Sequence, residues 1–315
     1  MKSIADEGVS PMTTEKQIWF KGQMIPWSQA NVHVMTHALH YGSSIFEGIR
    51  SYPTKNGPAI FRLGLHMRRL WDSCKIYRME IPFSVAEITQ ACKDVVKINN
   101  YANCYIRPLV WRGEGPLGLD GKANPIEAMV AAVEWGAYLG PEGLKNGVDV
   151  MVSSWNRPAA NTIPTMAKAG GNYLSSNLIK NEALRNGYSE GIAMDINGNI
   201  AEGSGMNLFI VRDGVIYTPP TTASILPGIT RDSIMTVAKE LKMPVIETNM
   251  QREMLYLADE IFFTGTAAEV TPVRSVDKVV IGTGMRGELT EAIQERFFGL
   301  FDGSVEDRHG WLDYV

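Results

Sequence analysis

Cysteine is scarce in this chain: three in 315 residues, Cys74, Cys92 and Cys104, with no C-x-x-C pair. An odd, unpaired set argues against a disulfide framework or a thiolate zinc site, so each reads as a small buried hydrophobe. Long apolar runs are missing too. No stretch reaches the roughly 18 residues that a membrane helix needs, and the opening MKSIADEGVSPMTTEK lacks the apolar region of a secretory signal. The expected compartment is the cytoplasm, with no membrane partner. Positive charge is not in surplus: 30 Lys and Arg against 34 Asp and Glu leave a net charge of -4, which gives nucleic-acid binding no electrostatic support. G-x-S-x-G, G-x-x-x-x-G-K-[ST] and H-E-x-x-H are all absent.

Two patterns are present but lack the context that would give them chemistry. G-x-G-x-x-G occurs at Gly113, Gly115, Gly118 and at Gly282, Gly284, Gly287. The first runs into the turn formers Asp120-Gly121 and Asn124-Pro125, so no helix start is available to receive a pyrophosphate. The second lies too near the end of the chain to complete a dinucleotide-binding unit of roughly 30 residues. His33, His37 and His40 are spaced to share a helix face, yet apolar Val34, Met35 and Leu39 lie between them, and rings hydrogen-bonded around a packed turn account for the spacing better than a metal. No metal site is expected.

The length allows two domains of roughly 100 to 200 residues each. Ile18 to Phe20 and Met24, around Lys21-Gly22, predict a hairpin. Leu63, Met67, Leu70, Cys74 and Tyr77 recur at helical spacing. Ser84 and Glu87 form a capping box ahead of Ile88, Ala91, Val95 and Val96. Tyr105 to Trp111 and Ile126 to Trp135 read as strands, and Pro108 assigns the first to a sheet edge or a bulge. Gly136 to Gly147, broken by Gly140-Pro141 and Gly143, reads as an irregular connection before a strand at Val148 to Trp155. A helix from about Asn172 to Asn186 should close at Gly187. Asn197-Gly198 and Asp213-Gly214 predict hairpins, and Thr230 is expected to cap a helix carrying Ile234, Val237 and Leu241. Strands at Ile261 to Gly265 and Lys278 to Ile281 and a helix from Glu288 to Phe301 complete the pattern. Strands in runs with helices interspersed point to an α+β fold.

The stretch with chemical promise is Val150 to Tyr173. Its Lys168 stands among Met166, Ala167, Ala169, Gly170 and Gly171, with nothing bulky or oppositely charged beside it. An amine held away from water is disfavoured in its charged form and becomes a nucleophile toward a carbonyl. Residue types alone leave an exposed loop lysine as the plainer reading, since lysines are rarely buried.

The surrounding motifs change that balance. NTIPTMAKAGGNYLSS resembles the lysine motif of the fold-type IV pyridoxal-phosphate transaminases, and HALHYGSSIFEGIR, CYIRPL, AEGSGMNLF, LPGITRD and GTAAEVTPV stand in that family's order. The similarity runs from about Ile18 to Tyr314 and is greatest to the branched-chain amino acid aminotransferases. It implies a small α/β N-terminal domain (1–136, with 1–16 frayed), a linker (137–147) and a larger domain (148–315) with mostly antiparallel strands and flanking helices.

The resemblance also implies roles. Lys168 becomes the Schiff-base lysine of pyridoxal 5'-phosphate and the group that moves the proton on the substrate carbon. Glu202 becomes the partner of the ring nitrogen, and Tyr173 that of the ring's phenolic oxygen. Arg69, Leu226, Ile229, Thr230 and Thr266 become cofactor ligands, with Arg69 and the helix start at Ile229 and Thr230 serving the phosphate. Phe46, Gly48, Tyr105, Trp135 and Tyr138 become the pocket for a branched side chain. Arg107 becomes the partner of glutamate's distal carboxylate, and Thr266 and Ala267 offer N–H groups to the α-carboxylate. Tyr41 and Leu119 correspond to residues supplied by a neighbouring subunit, which makes a dimer the minimum unit. On local sequence alone Glu202 reads as a solvated turn carboxylate, Arg69 as an exposed helix residue and the aromatics as core. Met206 departs from the pattern, standing where relatives often carry glutamate.

The expected activity is exchange of amino groups between leucine, isoleucine or valine and 2-oxoglutarate by ping-pong kinetics, with amino acids and 2-oxo acids as the small-molecule partners. A D-amino acid transaminase or an aminodeoxychorismate lyase is the alternative within the fold, and a cofactor-binding or interaction protein without catalysis is the alternative outside it.

Overall fold

The computed structural model describes residues 15–136 and 138–315, so most of the segment expected to fray lies outside the described residues. The first of two sheets opens with the anticipated hairpin, β1 (Gln17–Phe20) and β2 (Gln23–Pro26), joined antiparallel. Lys21 and Gly22 both take positive φ, 52° and 94°, the geometry that matches a two-residue turn to the twist of its strands. There follow α1 (His37–Tyr41), β3 (Ser44–Phe46), β4 (Ile49–Thr54), β5 (Gly57–Phe61), α2 (Leu63–Ile76), α3 (Val85–Ile98), β6 (Cys104–Arg112) and β7 (Ile126–Val133).

Helices α2 and α3 bury the residues their spacing assigned to the core, Leu63, Met67, Leu70 and Cys74 on one and Ile88, Ala91, Val95 and Val96 on the other. The capping box is formed in both directions: Glu87 N donates to Ser84 Oγ at 3.2 Å and Ser84 N donates to Glu87 Oε2 at 2.7 Å. Ser84→Ala should therefore lower stability by about 1 kcal/mol, read as a shifted denaturant midpoint with an unchanged slope. All three cysteines are buried and unpaired, and burial pushes the Cys74 and Cys104 thiols up to about 12.

Pro108 is not at a sheet edge. Strand β6 is interior, paired to β7 from Tyr105 to Arg112 on one side. On the other side its partner changes: β3 meets Leu109 to Trp111 and β4 meets Cys104 to Ile106. Proline, with no N–H to give, falls in the break between those partners, where its carbonyl accepts from Glu47 N at 2.9 Å. The interruption also sets Glu47 and Gly48 outside regular pairing.

The connection expected to be irregular contains a short helix, α4 (Pro141–Asn146), started by Gly140 at φ 80° with Pro141 at its first position. Proline at a helix start and glycine just past its end (here Gly147) punctuate a short helix as readily as a loop. Next come β8 (Val148–Val152), α5 (Tyr173–Arg185), β9 (Glu190–Met194), β10 (Ile200–Gly203), β11 (Asn207–Arg212) and β12 (Val215–Thr218). Then follow α6 (Ile229–Glu240), β13 (Val245–Glu247), α7 (Glu253–Tyr256), β14 (Glu260–Gly265), β15 (Glu269–Val276), β16 (Val279–Val280) and α8 (Glu288–Asp302).

Antiparallel pairing predominates in this second sheet, with parallel pairs at β8–β9, β8–β15 and β12–β13. The α+β fold class is as expected. The strand β15, central to the order β10-β9-β8-β15-β14-β11-β12-β13, was not foreseen. Thr230 is not the cap of α6 but its second residue; Gly228 is the cap, and a Cβ there would lie 1.9 Å from Asn207 Oδ1. The last strand, β17 (Leu312–Tyr314), returns to pair with β5 at the edge of the first sheet. We propose the two sheets as the two domains, joined through 137–147, with this final strand crossing back.

Candidate active site

Lys168 lies between β8 and α5, and its backbone is fastened to the first sheet. Lys168 N donates to Ser73 Oγ of α2 at 3.1 Å, Phe46 N donates to Lys168 O at 3.0 Å, and Ala169 bridges Ile45. The loop packs closely against β3 here, since a Cβ on Gly170 would sit 2.3 Å from Ser44 Oγ and displace that hydroxyl. Asn172 closes the loop by donating to the carbonyls of Pro164 and Ala167, each at 3.0 Å. So held, the lysine amine reaches a cleft, where Nζ donates to Tyr173 OH at 2.7 Å and lies 4.8 Å from the centre of the Phe46 ring.

Glu202, on β10, is buried in the same cleft. Its carboxylate pairs with Arg157, whose Nη2 lies 3.0 Å from Oε1, and accepts from Asn207 Nδ2 at 3.0 Å and Leu226 N at 3.2 Å. Burial still raises its pKa, against the opposing pull of Arg157 and the Leu226 N–H. A carboxylate in that condition gains from a further cationic or N–H partner.

Arg69 is held by a second carboxylate. Glu47, fully buried, accepts from Arg69 Nε at 2.6 Å and Nη2 at 2.8 Å, while Arg69 Nη1 donates to Pro227 O at 3.0 Å. Of the five guanidinium N–H groups, two remain for a ligand beside the start of α6. His66 Nδ1 lies 2.7 Å from Glu47 Oε2, and burial, outweighing the carboxylate, lowers the pKa of His66 so that the neutral ring donates there. Burial opposes charge on Glu47 too, but Arg69 and His66 outweigh it and hold the carboxyl well below the usual range.

A pKa lowered by folding stabilises the protein above the unfolded value, about 4.3 for Glu, and that contribution is lost as pH falls below it. Glu47→Ala should cost about 3–5 kcal/mol at neutral pH by leaving Arg69 buried without its partner. The difference from wild type should narrow in denaturation series carried below about pH 4.3.

The cleft brings together Lys168, Tyr173, Glu202, Arg69, Leu226, Ile229, Thr230, Thr266, Ala267, Gly48 and Tyr105. Phe46 joins through its ring, 4.8 Å from that of Tyr173. Arg107, Trp135 and Tyr138 stand around Tyr105: Arg107 Nη2 donates to Tyr105 OH at 3.2 Å, the Trp135 ring is 4.7 Å from that of Tyr105, and the Tyr138 ring is 6.0 Å from Trp135. Tyr41 and Leu119 do not line this chain's cleft. Tyr41 OH donates to Leu117 O, and both residues are exposed, Leu119 by 82%. Met206 packs in the core of the second sheet, against the position a Cβ on Gly203 would take.

Arg157, Asn207, Glu47 and His66 escaped the sequence reading. Asn156-Arg157-Pro158 looks like an ordinary loop, whereas Glu47, between Phe46 and Gly48, and Asn207, in AEGSGMNLF, stood inside motifs already singled out.

The patterns set aside have structural uses. Glu260 accepts from Leu289 N and Thr290 N at the start of α8, so no anion site exists after Gly287. His37 bridges Ser43 Oγ and Gly118 O, His40 bonds Val34 O, and His33 accepts from Met35 N.

Residues 44–276 match the family model for amino-transferase class IV. The chain belongs to the class IV aminotransferases. Among relatives of this class IV aminotransferase, the branched-chain-amino-acid aminotransferase of Escherichia coli (strain K12) is 57% identical over 307 residues, 96% of this chain and 99% of that one. A crystal structure of the Escherichia coli branched-chain amino acid aminotransferase superposes with a TM-score of 0.94 at 56% identity, covering 95% of this chain and 99% of that chain. The branched-chain amino acid aminotransferase from Thermobaculum terrenum, in its PLP-form, gives a TM-score of 0.88 at 34% identity, covering 95% of this chain and 97% of that chain.

Class IV aminotransferases use pyridoxal 5'-phosphate, and the residues present fit it. A dianionic phosphate suits the two free Arg69 N–H groups beside the first N–H groups of α6, and a ring nitrogen suits Glu202. Thr264 Oγ1 lines the cleft buried without a partner, a further donor awaiting an acceptor.

Proposed function

We propose that this aminotransferase moves the amino group of L-leucine, L-isoleucine or L-valine to 2-oxoglutarate, giving branched-chain 2-oxo acids and L-glutamate in two ping-pong half-reactions. The observation that carries the reading is the amine of Lys168 on Tyr173 OH, in one cleft with Glu202 and Arg69. Bound pyridoxal 5'-phosphate supplies a carbonyl that takes up the amino group and a ring that withdraws electrons from the substrate carbon. Lys168 Nζ takes the proton from the substrate α-carbon and returns it on the next step, with Tyr173 OH fixing its approach. Glu202 keeps a proton on the ring nitrogen, and Arg157, Asn207 and Leu226 N keep Glu202 in place. Arg69, Ile229, Thr230 and Thr266 hold the phosphate.

Phe46, Tyr105, Trp135 and Tyr138 form the apolar wall for the branched side chain. Gly48 is needed there because a Cβ would lie 1.8 Å from Tyr105 OH. Arg107 takes the distal carboxylate of glutamate, and Thr266 and Ala267 N–H groups take the α-carboxylate. A dimer is the proposed minimum unit, with Tyr41 and Leu119 reaching the cleft of a second copy. Exposed Val34, Leu39 and Leu119 support that interface. Three unpaired buried cysteines suit a reducing, cytoplasmic compartment. No helix among the described residues is long and apolar enough to cross a membrane.

A panel of both enantiomers of each amino acid with 2-oxoglutarate tests the substrate class. Turnover is expected with L-leucine, L-isoleucine and L-valine; preference for D-enantiomers would replace the reading with that of a D-amino acid transaminase. Sedimentation should give no monomer at working concentration.

A further inference from the structure

The hairpin between β14 and β15 is closed by the pair Gly265 and Glu269, leaving Thr266, Ala267 and Ala268 as its tip. Three-residue hairpins place a left-handed residue at the closing position, and that residue is usually glycine. Here it is Glu269, at φ 55°. A side chain with a Cβ keeps such a conformation only where its surroundings hold it.

The holding groups come from the other sheet. Glu269 Oε1 forms an ion pair with Arg50, 3.1 Å from Nη1, and accepts from Tyr52 OH at 2.9 Å, all three side chains being buried. Arg50 and Tyr52 are two apart on β4 and so share a face. The same guanidinium reaches a third segment, with Nη2 donating to Trp135 O at 3.3 Å and Gly136 O at 2.9 Å. Tyr138 N in turn donates to Ala267 O at 3.4 Å. The Nε of Arg50 is buried without a partner, while its two terminal nitrogens make these contacts. One carboxylate thus connects the hairpin tip to the wall that carries Trp135 and Tyr138.

We propose that Glu269 is a positioning residue for substrate. Gripped by Arg50 and Tyr52, it sets the tip at Thr266 and Ala267 in register with the Trp135–Tyr138 wall, so that the α-carboxylate and the side chain of one substrate are met together. This rests on the substrate site proposed above.

The test uses holoenzyme variants Glu269→Gly, which keeps the left-handed backbone accessible without the carboxylate, and Glu269→Gln, which keeps the size without the charge. Both should raise KM for L-leucine and for 2-oxoglutarate by roughly tenfold while kcat changes less than roughly threefold and the visible absorbance of bound cofactor is retained. Tyr52→Phe, whose ring still stacks on Phe301 at 3.7 Å, should raise KM in the same direction by a smaller factor and carries the test if the Glu269 variants do not fold.

Wild-type KM in Glu269→Gly or in Tyr52→Phe overturns the proposal, as does a loss confined to kcat or a loss of bound cofactor. The wild-type substrate panel reports on the substrate reading itself, whereas the ratio of variant to wild type, taken with whichever amino donor that panel finds, reports on Glu269.

Discussion

Lys168→Ala is expected to lower kcat by about 10⁴-fold, the upper range for loss of a positioned proton carrier. The variant should fold, because the backbone of residue 168 keeps its bonds to Ser73 and Phe46 whatever its side chain. Borohydride reduction followed by peptide mass analysis should mark the peptide containing residue 168 in wild type and leave it unmarked in the variant. Added methylamine should restore part of the rate, since a free amine can enter the space that Nζ occupied. Normal turnover in the variant would refute the assignment of this lysine.

The second large effect concerns Glu202→Gln. Glutamine preserves the shape and an acceptor oxygen, but it cannot hold a proton on a ring nitrogen. Turnover should drop by about 10²–10³-fold, the usual loss when one preorganised electrostatic partner is removed. Retention of cofactor should change little, because Arg69 and the start of α6 are untouched. Burial already raises the pKa of Glu202, with Arg157 opposing, so the wild-type carboxylate is a group that the folded protein charges reluctantly and a cationic partner relieves. Stopped-flow absorbance of the half-reaction with L-leucine separates the two claims: slowed conversion at unchanged cofactor content is expected. Unchanged conversion would remove Glu202 from the mechanism.

Local rules were legible wherever the physics is local. The Ser84–Glu87 box, the Asn197-Gly198 and Asp213-Gly214 turns and the Gly187 cap each depend on a few adjacent residues, and each formed as read. What escaped depends on partners far along the chain. Strand β15 begins at a left-handed glutamate and contains Pro272, so its first half does not look like a strand until Arg50 and Tyr52 are seen to hold it. Pro108 misled because an interior strand with a broken partner is indistinguishable in sequence from an edge.

The candidate site divides in the same way. Lys168, Tyr173, Glu202 and Arg69 were named from motifs, while the residues that aim them, Glu47, His66 and Arg157, bind across gaps that no window spans. Arg157 meets Glu202 from 45 positions away, and neither neighbourhood marks the other.

The final strand has a consequence for biosynthesis. Leu312–Tyr314 supplies the neighbour of β5, so a nascent polypeptide carries that edge of the first sheet uncovered until those residues have left the ribosome. Completion of the first sheet thereby waits on residues 312–314, and an early stop codon that removed them while sparing every residue named in the cleft would release a product with an open, sticky border.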